Sequence, residues 1–214
     1  MIIKDVMTKN PVCVSEDTSI VEANEIMLKN GFGKLPVLDK SKKLVGIITK
    51  KDIAKVSPSS ATTLDKYEIN SLLEKLTVAK CMTKKVIVVS PEEVVEETAK
   101  IMVDNEIGCV PVVSDDIVVG IVTESDLFAL FTAMFGAGYK GVRANFYMQD
   151  KPGELSALVK CLAEKGANIV AVITRESEKT GSRRVTIRVT DIDEKSMKQI
   201  LDENSAEIID LRVV

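Results

Sequence analysis

Over the first 135 residues, apolar and polar positions form two passages that read alike. Each opens with a short β-branched run, at 12–14 and 86–89. Each then enters a stretch with acids in its first turn and apolar residues at helical spacing. In the later passage Ser90 is placed to cap the helix, Pro91 to take its first position and Glu93 to close a capping box. The helices stop at Asn30-Gly31 and Asn105-Glu106. A strand around Pro36-Val37 follows in the first passage, then a polar turn and a strand at Leu44–Thr49. In the second passage the corresponding strand is Ile117–Thr123, and a closing helix is expected after Thr49 and after Thr123. Between the passages, Ser57-Pro58-Ser59-Ser60 reads as a loop. Residues 65–76 read as a linker helix with Ile69, Leu72, Leu73 and Leu76 on one face.

The likeness is a duplication. Met7-Thr8-Lys9 recurs as Met82-Thr83-Lys84, Ile26-Met27 as Ile101-Met102, Gly33 as Gly108, and Leu35-Pro36-Val37 as Val110-Pro111-Val112, all 75 residues on. One residue is then lost, and Gly46-Ile47-Ile48-Thr49-Lys50-Lys51-Asp52-Ile53 matches Gly120-Ile121-Val122-Thr123-Glu124-Ser125-Asp126-Leu127 at a spacing of 74. From residue 140 the plan differs. An alternating strand at 142–148 leads to Asp150-Lys151-Pro152-Gly153, which opens a helix reaching Lys165-Gly166. Strands at 169–174 and 184–189, a helix at Glu194–Glu203 and a strand at Glu207–Val213 complete a β-α-β-β-α-β order, which is ferredoxin-like.

Composition narrows the chemistry. The 214 residues are 45% hydrophobic and 29% charged, an ordinary globular balance, and contain no histidine. A Ser-His-Asp triad, a Cys-His pair and any imidazole metal site are therefore excluded. Cys13, Cys81, Cys109 and Cys161 lie far apart and read as small buried hydrophobes, with no metal or redox motif among them. Residues 1–139 hold 16 Lys, no Arg and 20 acids, whereas residues 140–214 hold 7 Lys, all 6 Arg and 12 acids. The contrast suggests two modules of separate origin, neither basic enough for nucleic acid. No apolar run approaches the roughly 18 residues of a membrane span. The N-terminus lacks the basic head and long apolar stretch of a signal peptide. A soluble cytoplasmic protein is expected.

The order β-α-β-β-α, with Met-Thr at its start and Gly-x-x-Thr-x-x-Asp at its end, resembles the CBS domain. Two in tandem resemble a CBS pair, or Bateman module. The segment Asp150-Lys151-Pro152-Gly153-x-Leu155, followed by Gly166-Ala167-Asn168-Ile169, resembles the ACT domain. The CBS–CBS–ACT order also resembles the acetoin-utilisation regulators of the AcuB type. These resemblances imply an α/β (α+β) chain with a first CBS domain at 1–56, a linker at 57–77, a second CBS domain at 78–135 and an ACT domain at 140–214. They imply pseudo-twofold packing of the CBS pair and two clefts that take adenosine-containing ligands. They also imply a regulatory, non-catalytic role with no required cofactor, in which an adenine nucleotide or S-adenosylmethionine is the effector. A homodimer and an unidentified protein partner follow from the same likeness. A dimerising scaffold without ligand is the alternative, and a metal-dependent nucleotide hydrolase a further one.

Thr49-x-x-Asp52 and Thr123-x-x-Asp126 stand where a strand becomes a helix. There a Thr cap and a first-turn Asp stabilise any helix. By the resemblance, Asp52 and Asp126 also hold ribose hydroxyls. Adenine walls would come from Val12, Val14, Leu35 and Pro36, or from Val86, Val88, Val110 and Pro111, with plain core as the competing role. Lys34, Lys50 and Lys51 attend the first motif, whereas Cys109, Glu124 and Ser125 stand at the matching positions of the second. An anionic ligand is therefore expected in the first cleft, unless the phosphates reach the opposite copy, and a neutral or cationic adenosyl group, or nothing, in the second. Solvated surface is the other account of these lysines. In the ACT module, Asp150, Gly153 and Asn168 are the candidates for an amino-acid site at a dimer interface. No residue is assigned to catalysis or to a metal.

Overall fold

Helix α1 (Ile20–Asn30) begins where the Ser19 hydroxyl accepts the Glu22 amide at 3.1 Å. It ends at Gly31, whose φ of +71° lets the chain leave the helix. Its buried residues Ile20, Ala23 and Met27 recur at helical spacing and face a three-stranded sheet. In that sheet β2 (Val14–Ser15) runs parallel to β3 (Lys34–Leu38), and β3 runs antiparallel to β4 (Leu44–Thr49). Helix α2 (Lys50–Val56) follows directly. The computed structural model describes residues 1–56 and 73–214. The loop expected at 57–60 and most of the linker helix expected at 65–76 lie outside the described residues. The chain is α+β and divides into two compact units, Met1–Phe128 and Ala129–Val214.

Within the first unit the repeats exchange their leading segments. Strand β1 (Thr8–Lys9) pairs not with its own repeat but with β6 (Ile117–Thr123), Thr8 opposite Ile121. The other side of β6 carries β5 (Cys109–Ser114). Thr83 makes the reciprocal bridge to Ile47 of β4 through hydrogen bonds of 3.0 and 2.9 Å. Helix α3 (Val78–Cys81) comes with it, so Val78 and Met82 sit in the first repeat's core beside Leu35 and Ile48. The domain limits read from the sequence cut across these exchanged pieces.

The recurrent glycines make the exchange possible. A methyl group at Gly46 would lie 2.9 Å from Met82 Cγ; one at Gly120 would lie 3.0 Å from Met7 Cγ and 3.2 Å from the Thr8 carbonyl oxygen. Each Met-Thr pair therefore covers the bare backbone of the other repeat. Exchange also moves a helix start. Helix α4 (Val95–Asp104) begins later than the Ser90-Pro91-Glu93 signal, with Val94 at its N-cap. The intervening backbone is engaged elsewhere: the Ile3 and Lys4 amides donate to the Glu93 and Pro91 carbonyls at 2.8 and 2.9 Å. The 75-residue spacing also holds in the sheet pairing. Val89 bridges Val112 in parallel as Val14 does Val37, so Val89, and not Val88, is the counterpart of Val14.

Helix α5 (Glu124–Met134) follows β6 and runs past Phe128 into the second unit's residues. Phe128, Phe131 and Phe135 are exposed at 65%, 40% and 46%. In the second unit, β10 (Glu207–Val213), β7 (Val142–Gln149), β9 (Ser182–Thr190) and β8 (Asn168–Glu176) form one antiparallel sheet in that order. Helices α6 (Glu154–Glu164) and α7 (Glu194–Glu203) supply Leu158, Leu162, Met197, Ile200 and Leu201 to a core completed by Val142, Ala144, Phe146, Val185 and Ile187. Each such side chain contributes about 1.5–3 kcal/mol by leaving water. The alternate positions of β7 and β9 are polar. Arg143 pairs with Asp210 at 3.0 Å, and Arg184 donates to Asn145 at 2.9 Å.

Of the four cysteines, only Cys109 is buried; Cys13, Cys81 and Cys161 are partly exposed, and all are free thiols. The expectation that all four are core residues therefore holds for one. No described helix is long and apolar enough to cross a membrane, and no described cluster of three or more acids or cysteines is arranged to hold a metal.

Candidate functional site

Both Thr-x-x-Asp motifs form the same local structure. Thr49 and Asp52 close a reciprocal box. Asp52 Oδ2 accepts the Thr49 amide at 3.0 Å and its hydroxyl at 2.6 Å, while the Asp52 amide donates to Thr49 Oγ1 at 3.3 Å. Asp126 repeats this on Thr123 with distances of 2.8, 2.7 and 3.4 Å. One oxygen of each carboxylate is thus committed to starting a helix.

The second oxygens differ. Asp52 Oδ1 receives Lys55 Nζ at 3.3 Å, and the Asp52 charge also helps raise the Cys81 thiol pKa, a shift caused chiefly by burial. Position 129, the counterpart of Lys55, is alanine. Among the described residues Asp126 Oδ1 has no hydrogen-bond partner, so one carboxylate oxygen stands open as an acceptor.

Asp126 opens on a cavity of about 410 Å³, a size within the usual range of small-molecule sites. Its apolar side is Pro11, Val12, Phe32 and Ile121; Thr8, Thr123, Ser125 and Lys34 are the polar groups beside Asp126. Both repeats build it: the exchanged segment and the loop after α1 come from the first, the β6–α5 junction from the second. This corrects the placement of Lys34. Although β3–β4 register sets Lys34 opposite Thr49, its side chain reaches across to the second repeat. Its ammonium donates to the Gly108 carbonyl and lies 4.0 Å from Glu124 Oε2. Around Asp52, the counterparts of Pro11 and Lys34 are Val86 and Cys109, which pack with Ile47 and Ile121. Burial pushes the Cys109 thiol up to about 11, with Lys34 opposing that shift and Glu124 adding to it. Lys50 and Lys51 are exposed.

The adenine walls read from the sequence also move. Val14, Leu35 and Val110 are core residues, and Pro36 and Pro111, which strand alternation turns to the opposite face from Leu35 and Val110, are buried as well. Val88 and Val86 line a separate hollow of about 300 Å³ rimmed by Lys43, Lys84 and Asp116. Of the named wall residues, Val12 lines the Asp126 cavity. Pro11, Phe32, Thr8 and Ser125 were missed as cavity residues. The paired Met–Gly contacts were the one sequence signal that could have exposed the exchange that brings Thr8 and Pro11 there.

In the second unit the three candidates do not converge. Arg183 clamps the Asp150 carboxylate through contacts of 2.9 and 3.3 Å. Gly153, with φ +97°, is the N-cap of α6, so the Asp150-Pro152 start expected for that helix falls three residues early. Asp150 lies at the Ser182 end of β9 and Asn168 pairs with Thr190 at its other end, about 26 Å away along the strand.

A family model for the CBS domain matches residues 3–59 and 78–132, and one for the TTHA0829-like ACT domain matches 140–212. The protein MJ1426 of Methanocaldococcus jannaschii is 36% identical over 150 residues, spanning 59% of this chain and 89% of that protein. The L-aspartate semialdehyde sulfurtransferase of the same organism is 37% identical over 131 residues, 61% of this chain but only 23% of the enzyme. Among solved structures, the CBS pair of protein MJ0100 with 5′-methylthioadenosine and S-adenosylmethionine is 37% identical, at a TM-score of 0.51 over 61% of this chain and 95% of that one. A putative acetoin utilisation protein (AcuB) from Vibrio cholerae gives 28% and 0.52, covering 61% and 90%. CBSX2 in complex with AMP gives 26% and 0.50, covering 61% and 95%.

Proposed function

The chain belongs to the CBS-domain family, as a CBS pair followed by an ACT domain, and on that premise we propose that it is a regulatory sensor whose CBS pair binds one adenosyl ligand, in the Asp126 cavity. The observation that carries this reading is the free Asp126 Oδ1 at the mouth of a half-apolar cavity. Ribose presents two vicinal hydroxyls as donors to that oxygen, and the purine takes the Pro11, Val12 and Ile121 side. Solved relatives that hold 5′-methylthioadenosine, S-adenosylmethionine or AMP support the ligand class. The Asp52 side, with its carboxylate held by Lys55 and its counterpart wall packed by Val86 and Cys109, is read as structural.

No catalytic role is proposed. The ACT module is read as an association module; a site using Asp150 and Asn168 together needs a second chain, since β9 separates them. A homodimer is supported by the exposed Phe128, Phe131, Met134 and Phe135, and a cytoplasmic setting by the free thiols. Calorimetric titration of the full chain with 5′-methylthioadenosine, S-adenosylmethionine and AMP tests the reading. Saturable binding of at least one compound at one site per chain is expected. No heat and no thermal shift with any of the three would replace it with a dimerising scaffold, to be checked by light scattering.

A further inference from the structure

Among the described residues Lys34 is the one cation lining the Asp126 cavity, and it is not free. Its ammonium is shared between the Gly108 carbonyl and Glu124 Oε2, the latter at 4.0 Å. The chain keeps room for this pair: a methyl group on Gly108 would come within 2.6 Å of Glu124 Oε2 and 2.9 Å of Lys34 Nζ. Counted together, Lys34, Glu124 and Asp126 leave the site with an excess of one negative charge. The first turn of α5 adds no unopposed positive field, because Glu124 and Asp126 are both in it. A phosphate dianion entering here meets two carboxylates and one ammonium that already has partners, and must displace Glu124 to gain its cation.

We propose that Glu124, by neutralising Lys34 at the cavity rim, sets this site for an adenosyl ligand whose 5′ substituent is uncharged or cationic, against a nucleotide phosphate. The proposal rests on reading the cavity as an adenosyl site and names which members of that class it takes. It also assigns the selection to a residue outside the lining, supplied by the second repeat to a cation supplied by the first.

The test is a charge series on one nucleoside, measured by calorimetry on the full chain: 5′-methylthioadenosine (neutral), S-adenosylmethionine (cationic sulfonium) and AMP (anionic). In the native chain the first two bind at least about tenfold more tightly than AMP, the ratio expected for one favourable contact exchanged for repulsion. Glu124→Gln strengthens AMP about threefold to fivefold and weakens S-adenosylmethionine, the scale of a partly exposed ion pair. It leaves 5′-methylthioadenosine within a factor of two, as near-equal affinity demands. Lys34→Met moves AMP and S-adenosylmethionine in the opposite directions. Glu124 is exposed, so Glu124→Gln is expected to fold, and circular dichroism of both variants checks it. AMP binding tighter than 5′-methylthioadenosine in the native chain overturns the proposal and leaves the adenosyl reading standing. So does an AMP affinity in Glu124→Gln no tighter than in the native chain. Binding of none of the three overturns both.

Discussion

The two Thr-x-x-Asp boxes are near-identical in geometry, which makes Asp52→Ala and Asp126→Ala a matched pair. Either substitution removes the carboxylate oxygen that accepts an amide and a hydroxyl at the start of a helix. Loss of such a cap costs about 1 kcal/mol, so the two ligand-free variants should unfold at similar points. Their ligand responses should part. A charge-assisted hydrogen bond from ribose to Asp126 Oδ1 contributes about 2 kcal/mol, and its loss weakens binding about thirtyfold. At a ligand concentration one hundred times the native dissociation constant, the native chain gains about 2.7 kcal/mol of stability. Asp126→Ala gains about 0.9 kcal/mol under the same conditions, whereas Asp52→Ala keeps the full gain. For a protein of this size each kcal/mol moves the midpoint about 2–4 °C, so the difference is plain in a thermal scan with 5′-methylthioadenosine. Equal loss in both variants, or two ligands bound per native chain, would refute the argument that Lys55 and the Val86–Cys109 packing close the Asp52 side.

Further expectations follow from packing and charge. Gly120→Ala should cost about 1–3 kcal/mol in urea denaturation, because its methyl meets the Thr8 carbonyl as well as Met7; Gly46→Ala meets only the flexible Met82 and should cost less. Cys109, buried and with its thiol pushed up to about 11, should be the last of the four cysteines alkylated at pH 8 in the folded chain. Asp193 caps α7, and the Ser196 amide and hydroxyl hold its carboxyl below the ordinary carboxylate value. Its stabilisation is complete above that ordinary range and fades as pH falls through the depressed value, so Asp193→Asn should differ from the native chain at pH 7 and converge with it in acid. Arg188 Nη1 donates to the carbonyls of Gly136 and Tyr139 at 2.5 and 3.2 Å, so Arg188→Met should speed tryptic cleavage after Lys140.

What the sequence made legible was whatever repeats or alternates locally. The limits of Leu44–Thr49, Ile117–Thr123, Glu194–Glu203 and Glu207–Val213 are those of the strands and helix formed, because each is set by its own periodicity and the turn residues beside it. The exchange was not legible. Thr8 and Ile121 are far apart in the chain, and a two-residue strand has no period to betray its partner. The misplacement of Lys34 follows from that alone: on one repeat it belongs beside Thr49, and only the crossing of segments brings it to Gly108 and Glu124. Ser90, Pro91 and Glu93 failed as a helix start for the same reason, since the Ile3 and Lys4 amides, in a short 3-10 helix at the N-terminus, take the Glu93 and Pro91 carbonyls. Asp150 failed as a cap because a long-range partner, Arg183, holds it more strongly than a local amide does.

Duplication explains why the site can be regulatory without being large. Two copies of one box were available, and four of the differences between them bear on the cleft: Lys55 against Ala129, Val86 against Pro11, Cys109 against Lys34 and Lys50 against Glu124. The first two decide whether the cleft is open, the last two what charge it presents. On the proposed reading, an adenosyl group in the Asp126 cavity would touch the exchanged segment of one repeat and the β6–α5 junction of the other. Its binding energy therefore favours the state in which those pieces are assembled, whatever the net affinity. On the proposed reading the carboxylate that would accept ribose is also the cap of α5, an eleven-residue helix about 16 Å long. Ligand and helix start would then draw on the same carboxylate, so binding is expected to change how firmly the first turn of α5 is held.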